Sequence, residues 1–564
     1  MTTRHVSSGG SAPHAEVGNN QVLHVSSGAV ASGNIVDGGG IQYVDSGGVA
    51  SATQVNSTGA EWVQDGGVAV GTVLAPGGRD YVYGSALKTL ISAGAAQVAE
   101  SGGYTSGVVV RSGGLVYANS GSLTVATTIS AGGRVYAYGL ASRTVVSSGG
   151  TEDVISGGLS VSAVVSAGGE DQIFGFASNT LLTSGEQIVE SGGLASATVV
   201  TYAGDQDVFT DGYAVGTVVS SGGALYIESG ALVSRAILSA GAHEYVFDGG
   251  VDSGTIVKSG GIQNLYSGAA ALHDRVLGHG VEVVLGGGLA SRTQVSANGV
   301  LQVTNSGLAR SAIVSHGGME VITFGGEADQ TVLSGGVEQN HGVASGTKVL
   351  SGGVERVGAH ALTTASIIGA GGLEVVSFGG TAAGTTVSGG TLEVAAGGYI
   401  TGGLNIAAGR AILSGKISGG QAVTFTGAGG VLELDAPAVF QAQIFGLDRQ
   451  ARKLDLGGYV FSAGETLTWT QSGTSGTLTI RDGGKSANLT LVGTYGAGSF
   501  AMSDDGHGGT FVTPTNAAPA PARMVTAMAG LPAGRSEAAA PPANAGASAL
   551  AGAAQFFGVA TSGR

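Results

Sequence analysis

One short pattern of hydrophobic and polar positions recurs along most of the chain. In IQYVDSGGVASATQVNS (41–57), a segment of alternating polar and apolar residues leads into a Gly-Gly turn. A segment of small residues then ends in Thr-x-Val, and a second turn follows. AEWVQDGGVAVGTVLA (60–75) and HEYVFDGGVDSGTIVK (243–258) repeat this order. Period-two alternation is typical of β-strands, so each repeat is predicted to contain two short strands and two turns.

The spacing of the turns predicts the fold. Gly40, Gly59 and Gly78 are 19 residues apart, and the spacing falls to 17 between Gly133 and Gly150. About twenty such copies run to about residue 398. A unit this short cannot bury its apolar face alone, whereas stacked copies form a continuous core. The predicted fold class is all-β: a single-stranded, right-handed parallel β-helix, a solenoid of about twenty 16–19-residue repeats, with a C-terminal β cap.

The alternation also predicts which side chains face inward. In Thr53-Gln54-Val55 and its copies the third residue is expected in the core and the middle one in solvent. Apolar anchors of the first strand are expected at Val44, Val63, Val82, Val98, Val154, Val246 and Val284. A polar ladder that hydrogen-bonds from copy to copy is expected at Gln42, Glu61, Gln97, Gln187, Gln263 and Gln302.

The repeats divide the chain into four segments. Residues 1–20 are expected to form an irregular N-terminal cap, and residues 21–437 the β-helix, less regular from about 398. Residues 438–513 are expected to form a C-terminal β cap, which would close the unpaired edge of the last coil. Residues 514–564 are rich in Ala and Pro and are expected to be a disordered tail.

Composition excludes several classes of protein. Glycine accounts for 107 of 564 residues, but without the strict Gly-X-Y period of collagen. The net charge of −15 is unlike that of a nucleic-acid binder. The absence of cysteine excludes disulfides and cysteine-based metal sites. No apolar run reaches the length of a membrane-spanning helix.

Three groups of residues carry candidate chemistry, each with a simpler alternative. Asp504 and Asp505 could ligate Ca²⁺, or could form a structural turn. A cluster of acidic residues could supply the carboxylate pair of a glycoside hydrolase, or form a solvated acidic face: Glu152, Asp153, Glu170, Asp171, Asp205 and Asp207. Serines before Gly-Gly turns could accept sugars, or simply favour turns: Ser46, Ser101, Ser112, Ser191 and Ser351. No catalytic residue or cofactor is assigned.

The turn-and-strand pattern SGG-x-A-x-x-T-x-V resembles the AIDA-type repeat of passenger regions in bacterial autotransporter adhesins, over about residues 5–395. The segment 438–513 is similar to terminal modules that follow such repeats in large secreted proteins of Alphaproteobacteria. The matching residues are Ile444, Gly446, Leu454-Asp455-Leu456, Asp482-Gly483, Leu489–Gly493, Tyr495, Phe500 and Asp505–Val512. The resemblance implies a surface or released β-helix used as a virulence factor in adhesion, autoaggregation or biofilm contact, with heptose on repeat serines in several members.

The predicted function is therefore that of a structural adhesin rather than an enzyme. Expected partners are a host or neighbouring-cell surface, a polysaccharide, or copies of the same chain, with no nucleic acid and no membrane-spanning segment. The alternative is a β-helix polysaccharide lyase or hydrolase, which would concentrate carboxylates and Arg on one face. The family's C-terminal barrel and N-terminal signal have no match in this sequence. The expected location is extracellular or at the cell surface, reached without a cleaved N-terminal signal.

Overall fold

The computed structural model describes residues 1–515 except Ser221 and Lys416. The tail expected over 514–564 lies outside the described residues from residue 516 onward. The described chain winds into a right-handed parallel β-helix of about 24 coils, which confirms the predicted fold class. Each strand pairs in parallel with its counterparts in the coils before and after it, so equivalent residues stack along the axis.

Each coil contains three strands rather than the two predicted. In the coil that begins at Ile41 they are Ile41–Val44, Val49–Ser51 and Gln54–Val55. The small-residue segment is divided because Ala52 has a φ of 53°, a left-handed conformation that turns the chain through a corner. The alternation continues on both sides of this residue, so the sequence pattern does not reveal the corner.

The first strands of the regular coils are Thr2–Val6, Gln21–Val25, Ile41–Val44, Ala60–Val63, Arg79–Val82, Ala96–Ala99, Leu115–Ala118, Arg134–Ala137, Thr151–Val154, Glu170–Ile173, Glu186–Val189, Asp205–Val208, Ala224–Ile227, His243–Val246, Ile262–Leu265, Val281–Val284, Val300–Val303, Met319–Ile322, Val337–Asn340, Val354–Val357 and Leu373–Val376. The second strands are Ser11–Pro13, Val30–Ser32, Val49–Ser51, Val68–Val70, Ser85–Leu87, Tyr104–Ser106, Leu123–Val125, Leu140–Ser142, Leu159–Val161, Phe176–Ser178, Leu194–Ser196, Tyr213–Val215, Leu232–Ser234, Val251–Ser253, Ala270–Leu272, Leu289–Ser291, Leu308–Arg310, Glu327–Asp329, Val343–Ser345, Leu362–Thr364, Thr381–Ala383 and Tyr399–Thr401.

The third strands are Glu16–Val17, Ile35–Val36, Gln54–Val55, Val73–Leu74, Leu90–Ile91, Val109–Val110, Thr128–Ile129, Val145–Val146, Val164–Ser166, Leu181–Thr183, Val199–Thr201, Val218–Val219, Ile237–Leu238, Ile256–Val257, Arg275–Val276, Gln294–Val295, Ile313–Ser315, Val332–Ser334, Lys348–Val349 and Ile367–Gly369. In the last two regular coils the third strand runs on into the next first strand, as Thr386–Val394 and Leu404–Leu413.

The N-terminal segment, expected to be an irregular cap, contains the first regular coil instead. Thr2–Val6 pairs in parallel with Gln21–Val25 along its whole length. Arg4 is in register with the buried Leu23 of the next coil, but it is exposed. This charged residue interrupts the apolar pattern, which is why the sequence repeat is hard to recognise there.

Three columns of apolar side chains fill the interior. Val44, Ala50 and Val55 represent the first, second and third strand of one coil, and each is 0 % exposed. Val44 stacks on Val63 of the next coil. Over the first coils Val44 and Ala50 pack in one apolar cluster, whereas Val55 belongs to another that runs on along the rod. The interior is therefore narrow, and its apolar core is divided in places.

The alternation predicted for the Thr-x-Val segment is confirmed. Thr53 and Val55 are buried and Gln54 is exposed. One anchor of the first strand was predicted wrongly. Val98 faces outward in register with Tyr81, and the core position of that coil is taken by the fully buried Ala99.

The predicted polar ladder lies inside the coils and is fully buried. Gln42 donates to Glu61 across 2.8 Å between Nε2 and Oε1, and Gln206 donates to Gln187 across the same distance. These bonds join successive coils, as the sequence suggested.

One member of the predicted ladder is placed wrongly. Gln302 lies in register with Val283 and faces outward, whereas the fully buried Leu301 occupies the interior position between Glu282 and Glu320. The strand VLQV places its polar residue one position later than the other copies do. Because side chains alternate across a strand, that single shift moves the Gln to the opposite face.

The two glycines of a Gly-Gly turn are required for different reasons. Gly47 has a φ of 75°, a left-handed conformation that favours glycine. A Cβ atom on Gly48 would lie 2.1 Å from the carbonyl oxygen of Val25 in the preceding coil. The second glycine therefore sets how closely the coils can stack.

Parallel stacking continues past residue 437, where the cap was predicted to begin. The later strands are Ala422–Phe425, Gly430–Leu434, Gln443–Phe445 and Arg452–Leu456, with one short 3₁₀ helix at Pro437–Val439. Each of these strands has a parallel partner in a neighbouring coil. The helical solenoid thus ends near residue 456.

An antiparallel module closes the last coil. Its strands are Thr466–Ser472, Ser475–Asp482, Lys485–Val492, Phe500–Asp504 and Thr510–Pro514. Lys485–Val492 pairs with Gln443–Phe445, and Thr510–Pro514 pairs with Arg452–Leu456. The exposed edge of the final coil is therefore covered. Trp469, Tyr495 and Phe500 pack together in this module, with ring centroids 5.0 to 6.0 Å apart.

We expect Gly48→Ala to destabilise the rod far more than Gly71→Ala. Gly71 has open space around its Cβ position, and Ala52 already adopts a positive φ at the equivalent corner, so Gly71→Ala should cost about 1 kcal/mol. Gly48→Ala forces a backbone overlap and should cost at least about 3 kcal/mol. Urea unfolding followed by circular dichroism measures both. Equal costs would show that the coils can move apart to admit the Cβ atom, which contradicts the role given to Gly48.

Candidate contact surface

Outward-facing side chains also form rows along the axis, because coils stack in register at about 4.8 Å. On the face made by the second strands, the first residue of each strand points outward. From Tyr104 to Leu308 this row contains no charged residue, and we call it the second-face stripe: Tyr104, Leu123, Leu140, Leu159, Phe176, Leu194, Tyr213, Leu232, Val251, Ala270, Leu289 and Leu308. It is about 50 Å long at that spacing.

A second apolar row follows the third strands. Its members, the third-face stripe, are Val73, Leu90, Val109, Thr128, Val145, Val164, Leu181, Val199, Val218, Ile237 and Ile256. Val73 and Val145 are each 37 % exposed. The sequence placed this middle position in solvent on the evidence of Gln and Lys in other copies. The sequence feature that could have indicated a contact surface is the repeated occurrence of Val, Leu and Ile at this outward position.

The two stripes lie on either side of the corner at which the second strand ends. Ser106, Ser142 and Ser196 are typical of the row between them, and Arg143 and Arg235 take the left-handed corner position. The corner therefore presents two apolar rows separated by a row of hydroxyls and a few cations.

The face made by the first strands is different in character. It carries a row of aromatic rings over the first coils: His5, His24, Tyr43, Trp62 and Tyr81. Successive ring centroids are 4.2 to 6.1 Å apart and the planes are tilted by 36° or less. Neighbouring rings cover each other's faces, so this row contributes cross-strand stacking between coils.

The structure divides the acidic positions that the sequence grouped together. Glu152 and Asp171 point into the coils and are fully buried. The others lie on the outward face of the first strands: Asp153, Glu170, Asp205 and Asp207. A glycoside hydrolase would need an outward pair, so the two interior carboxyls are unavailable to a polysaccharide.

The outward acids are in part neutralised. Arg134 Nη2 lies 2.8 Å from Asp153 Oδ1, and Asp153 is 2 % exposed despite facing outward. Burial, followed by the charge of Glu186, raises the pKa of Asp207 to about 7. Among the described residues, no three His, Asp or Glu side chains are placed to hold a metal ion.

All five candidate serines are exposed, but on two different corners. Ser46, Ser101 and Ser191 follow first strands, whereas Ser112 and Ser351 follow third strands. The sequence treats these turns as equivalent, since both contain Ser-Gly-Gly. Sugars on these serines would form two separate rows, and their glycosylation stays a prediction.

Asp504 and Asp505 form a turn in the C-terminal module. Asp505 Oδ1 accepts the backbone amides of His507 and Gly509 at 2.6 and 2.8 Å, and Asp504 Oδ1 accepts that of Gly506 at 2.8 Å. Although desolvation would raise it, these backbone hydrogen bonds hold the pKa of Asp505 below its usual value. One carboxylate oxygen of each aspartate is thus engaged by the turn itself, and a Ca²⁺ site here stays a prediction.

Within the described residues, no helix is long and apolar enough to cross a membrane. No protein-family model matches the chain, and no curated protein matches it in sequence. Among solved structures it is similar to the TibC-glycosylated TibA55-350 fragment, with 23 % identity and a TM-score of 0.20 over 70 % of this chain and 99 % of that one. A second match is the tailspike of E. coli bacteriophage HK620 with a pentasaccharide, at 10 % identity and a TM-score of 0.14 over 85 % and 84 % of the two chains. Neither match assigns a ligand to this chain.

A test of the two interpretations of the Asp504–Asp505 turn uses alanine variants in a Trp62→Phe background, where Trp469 alone reports the unfolding of the module. Asp505→Ala should cost about 1 to 2 kcal/mol, because the buried amide of Gly509 and the exposed amide of His507 both lose their acceptor. Asp504→Ala, which removes one exposed bond, should cost less. We expect both costs to be the same with and without CaCl₂. A Ca²⁺-dependent rise in wild-type stability that Asp505→Ala abolishes would identify a metal site.

Proposed function

We propose that this chain is an extracellular or cell-surface adhesive rod that joins cells through side-by-side contact between copies of itself. The observation that supports it is the second-face stripe, an uncharged apolar row that continues through consecutive coils from Tyr104 to Leu308. Leu159 is exposed and the other members are half-buried, and an accessible apolar row of this length is unusual on a protein that acts alone.

The size of the stripe is sufficient for a specific interface. At a length of about 50 Å, a strip about 16 Å wide buries about 800 Å² on each rod, the value typical of stable complexes. The third-face stripe, across the same corner, can supply that width. No deep pocket is required, because each coil adds a small contribution and the sum provides avidity.

The regular pitch favours a second copy as the partner. Side chains on the stripe recur at the spacing of β-strands in a parallel sheet. Another rod of the same kind has the same spacing, so its side chains can interdigitate along the full length. A partner with a different repeat would lose that register within a few coils.

The net charge of −15 opposes association of like rods, and salt is expected to relieve this repulsion. Most outward carboxylates of the acidic group lie on the first-strand face, away from the stripe. Association should therefore strengthen as the ionic strength rises. No catalytic role is included in this proposal, because the feature that carries it is a contact surface without carboxylates.

The variant Leu140→Lys/Leu159→Lys tests the contact. These side chains are adjacent on the stripe, and Leu159 is 42 % exposed, so the fold should tolerate lysine there. We expect self-association, measured by analytical ultracentrifugation of the full chain, to weaken at least about tenfold, because each buried leucine contributes more than 1 kcal/mol. The matched control is Val281→Lys/Val300→Lys, an adjacent outward pair on the first-strand face. Equal weakening in both variants, or in neither, contradicts the assignment of the stripe.

Protease treatment of intact cells tests the location. With an antibody to the repeat region, we expect the chain to be removed from the cell surface or recovered from the medium. The control is a cytoplasmic protein, which should remain intact. Protection of the chain inside intact cells would contradict the adhesive proposal, even if the purified rods self-associate.

A further inference from the structure

Four glutamates lie one above another inside consecutive coils: Glu320, Glu338, Glu355 and Glu374. Each is paired in register with the next, so their Cα atoms follow the strand spacing of about 4.8 Å. All four are 0 % exposed. We call this set the glutamate column.

Among the residues that the structure describes, no cation faces the glutamate column. Among the described residues the only fully or nearly buried Lys, Arg or His is Arg452, which belongs to a much later strand. The interior groups around the column are hydroxyls, one amide and aliphatic side chains, and the polar ones are Thr331, Asn340, Thr347, Thr363, Ser366 and Thr385. The nearest interior acid toward the N-terminus is Glu282, beyond Leu301, and toward the C-terminus Leu392 ends the column.

Most of the carboxyl oxygens lack a hydrogen-bond partner. Both oxygens of Glu320 and Glu355 are unpartnered, as is one oxygen each of Glu338 and Glu374. The bonds that exist come from Ser366 to Glu374 Oε2 at 2.5 Å and from a threonine to Glu338 at 3.4 Å. An isolated buried carboxylate is so unfavourable that such a group takes up a proton instead.

The titration of the column follows from this environment. Burial raises the pKa of Glu320 and of Glu355 to about 7. Burial and then the charge of Glu355 raise the pKa of Glu338 and of Glu374 well above the ordinary value of 4.5. Like charges stacked this closely cannot all be ionised together.

Elsewhere in the same interior row, glutamine side chains occupy this position and make hydrogen bonds that do not depend on pH. Gln206 Nε2 donates to Gln187 Oε1, and Thr198 and Thr217 donate to the two amide oxygens at 2.8 and 2.7 Å. An amide carries both a donor and an acceptor, so it can bond to the coils on both sides. A carboxyl group has a donor only when it is protonated.

We propose that the glutamate column is a proton-binding device that makes the coils over residues 319–376 stable in acid and labile in alkali. When protonated, each carboxyl O–H donates to an oxygen of the neighbouring glutamate and the column is a hydrogen-bonded ladder. When the protons leave to solvent, the same side chains become stacked anions with no cation beside them and with too few donors for their oxygens. Those coils then separate before the rest of the rod.

The sign of the effect follows from proton linkage. The folded column holds protons that the unfolded chain releases above its ordinary pKa of 4.5. Stability is therefore highest at and below that pH, falls as the pH rises through about 7, and levels off above the highest folded pKa. Each glutamate that keeps its proton only when folded makes the unfolding constant rise about tenfold per pH unit in this range.

The test compares the full chain with Glu320→Gln/Glu338→Gln/Glu355→Gln/Glu374→Gln. Urea unfolding at about pH 5 and about pH 8 should show a wild-type midpoint that falls with pH and a variant midpoint that falls much less. Other interior acids, such as Glu61 and Glu152, give both proteins the same background. Glu338→Gln/Glu355→Gln is the smaller variant if the quadruple one does not fold. The reciprocal variant Gln187→Glu/Gln206→Glu should gain pH dependence.

A second readout does not depend on unfolding. Infrared spectra at about pH 6 should show the C=O stretch of protonated carboxylic acids in the folded wild type, with part of that band lost in the glutamine variant. An unchanged band together with parallel pH profiles for the two proteins would overturn the proposal. A cation bound in place of protons would leave the wild type without the part of the band that the column contributes, and would overturn the proposal as well.

Discussion

Backbone hydrogen bonding between coils in parallel register is the constraint on which the rest of this structure depends. It fixes each residue directly above its counterpart in the neighbouring coil, at the spacing of strands in a sheet. Any residue type that recurs at one position of the repeat becomes a row along the whole rod. The Gly-Gly turns allow this register, because a side chain at Gly48 would meet the carbonyl oxygen of the coil below.

Because each position of the repeat is stacked along the axis, the rod has three different faces and an interior whose polar residues change along its length. Leucine at the start of the second strand becomes an apolar stripe, whereas an aromatic residue in the first strand becomes a stack of rings that cover one another. Glutamine in the interior becomes an amide ladder. Glutamate at the same position becomes a column of acids that are satisfied only with protons. The same repeat thus produces different properties through small substitutions at fixed positions.

The two functional features occupy successive parts of the rod. The uncharged run of the second-face stripe ends at Leu308, and the next residue in that row is Glu327. The glutamate column begins in the same region, at Glu320, and ends at Glu374. In a rod arranged in this way, the contact segment has both amides and carboxyls in its interior. The neighbouring segment has a column of glutamates, and its proposed stability falls as the pH rises. Its C-terminal module lies beyond both.

The sequence by itself determined the period, the parallel solenoid and the facing of most residues, because each follows from local alternation and turn chemistry. Thr53, Gln54 and Val55 could be placed from three adjacent letters. Only the tertiary structure decided the third strand of each coil, since one left-handed residue such as Ala52 makes the corner without breaking the alternation. The sequence did not reveal the register between coils either. That register places Val98 and Gln302 on the outward face and Glu152 in the interior. A shift of one residue within a strand reverses facing, and whether a stripe is continuous depends on which residues the stacked coils bring together.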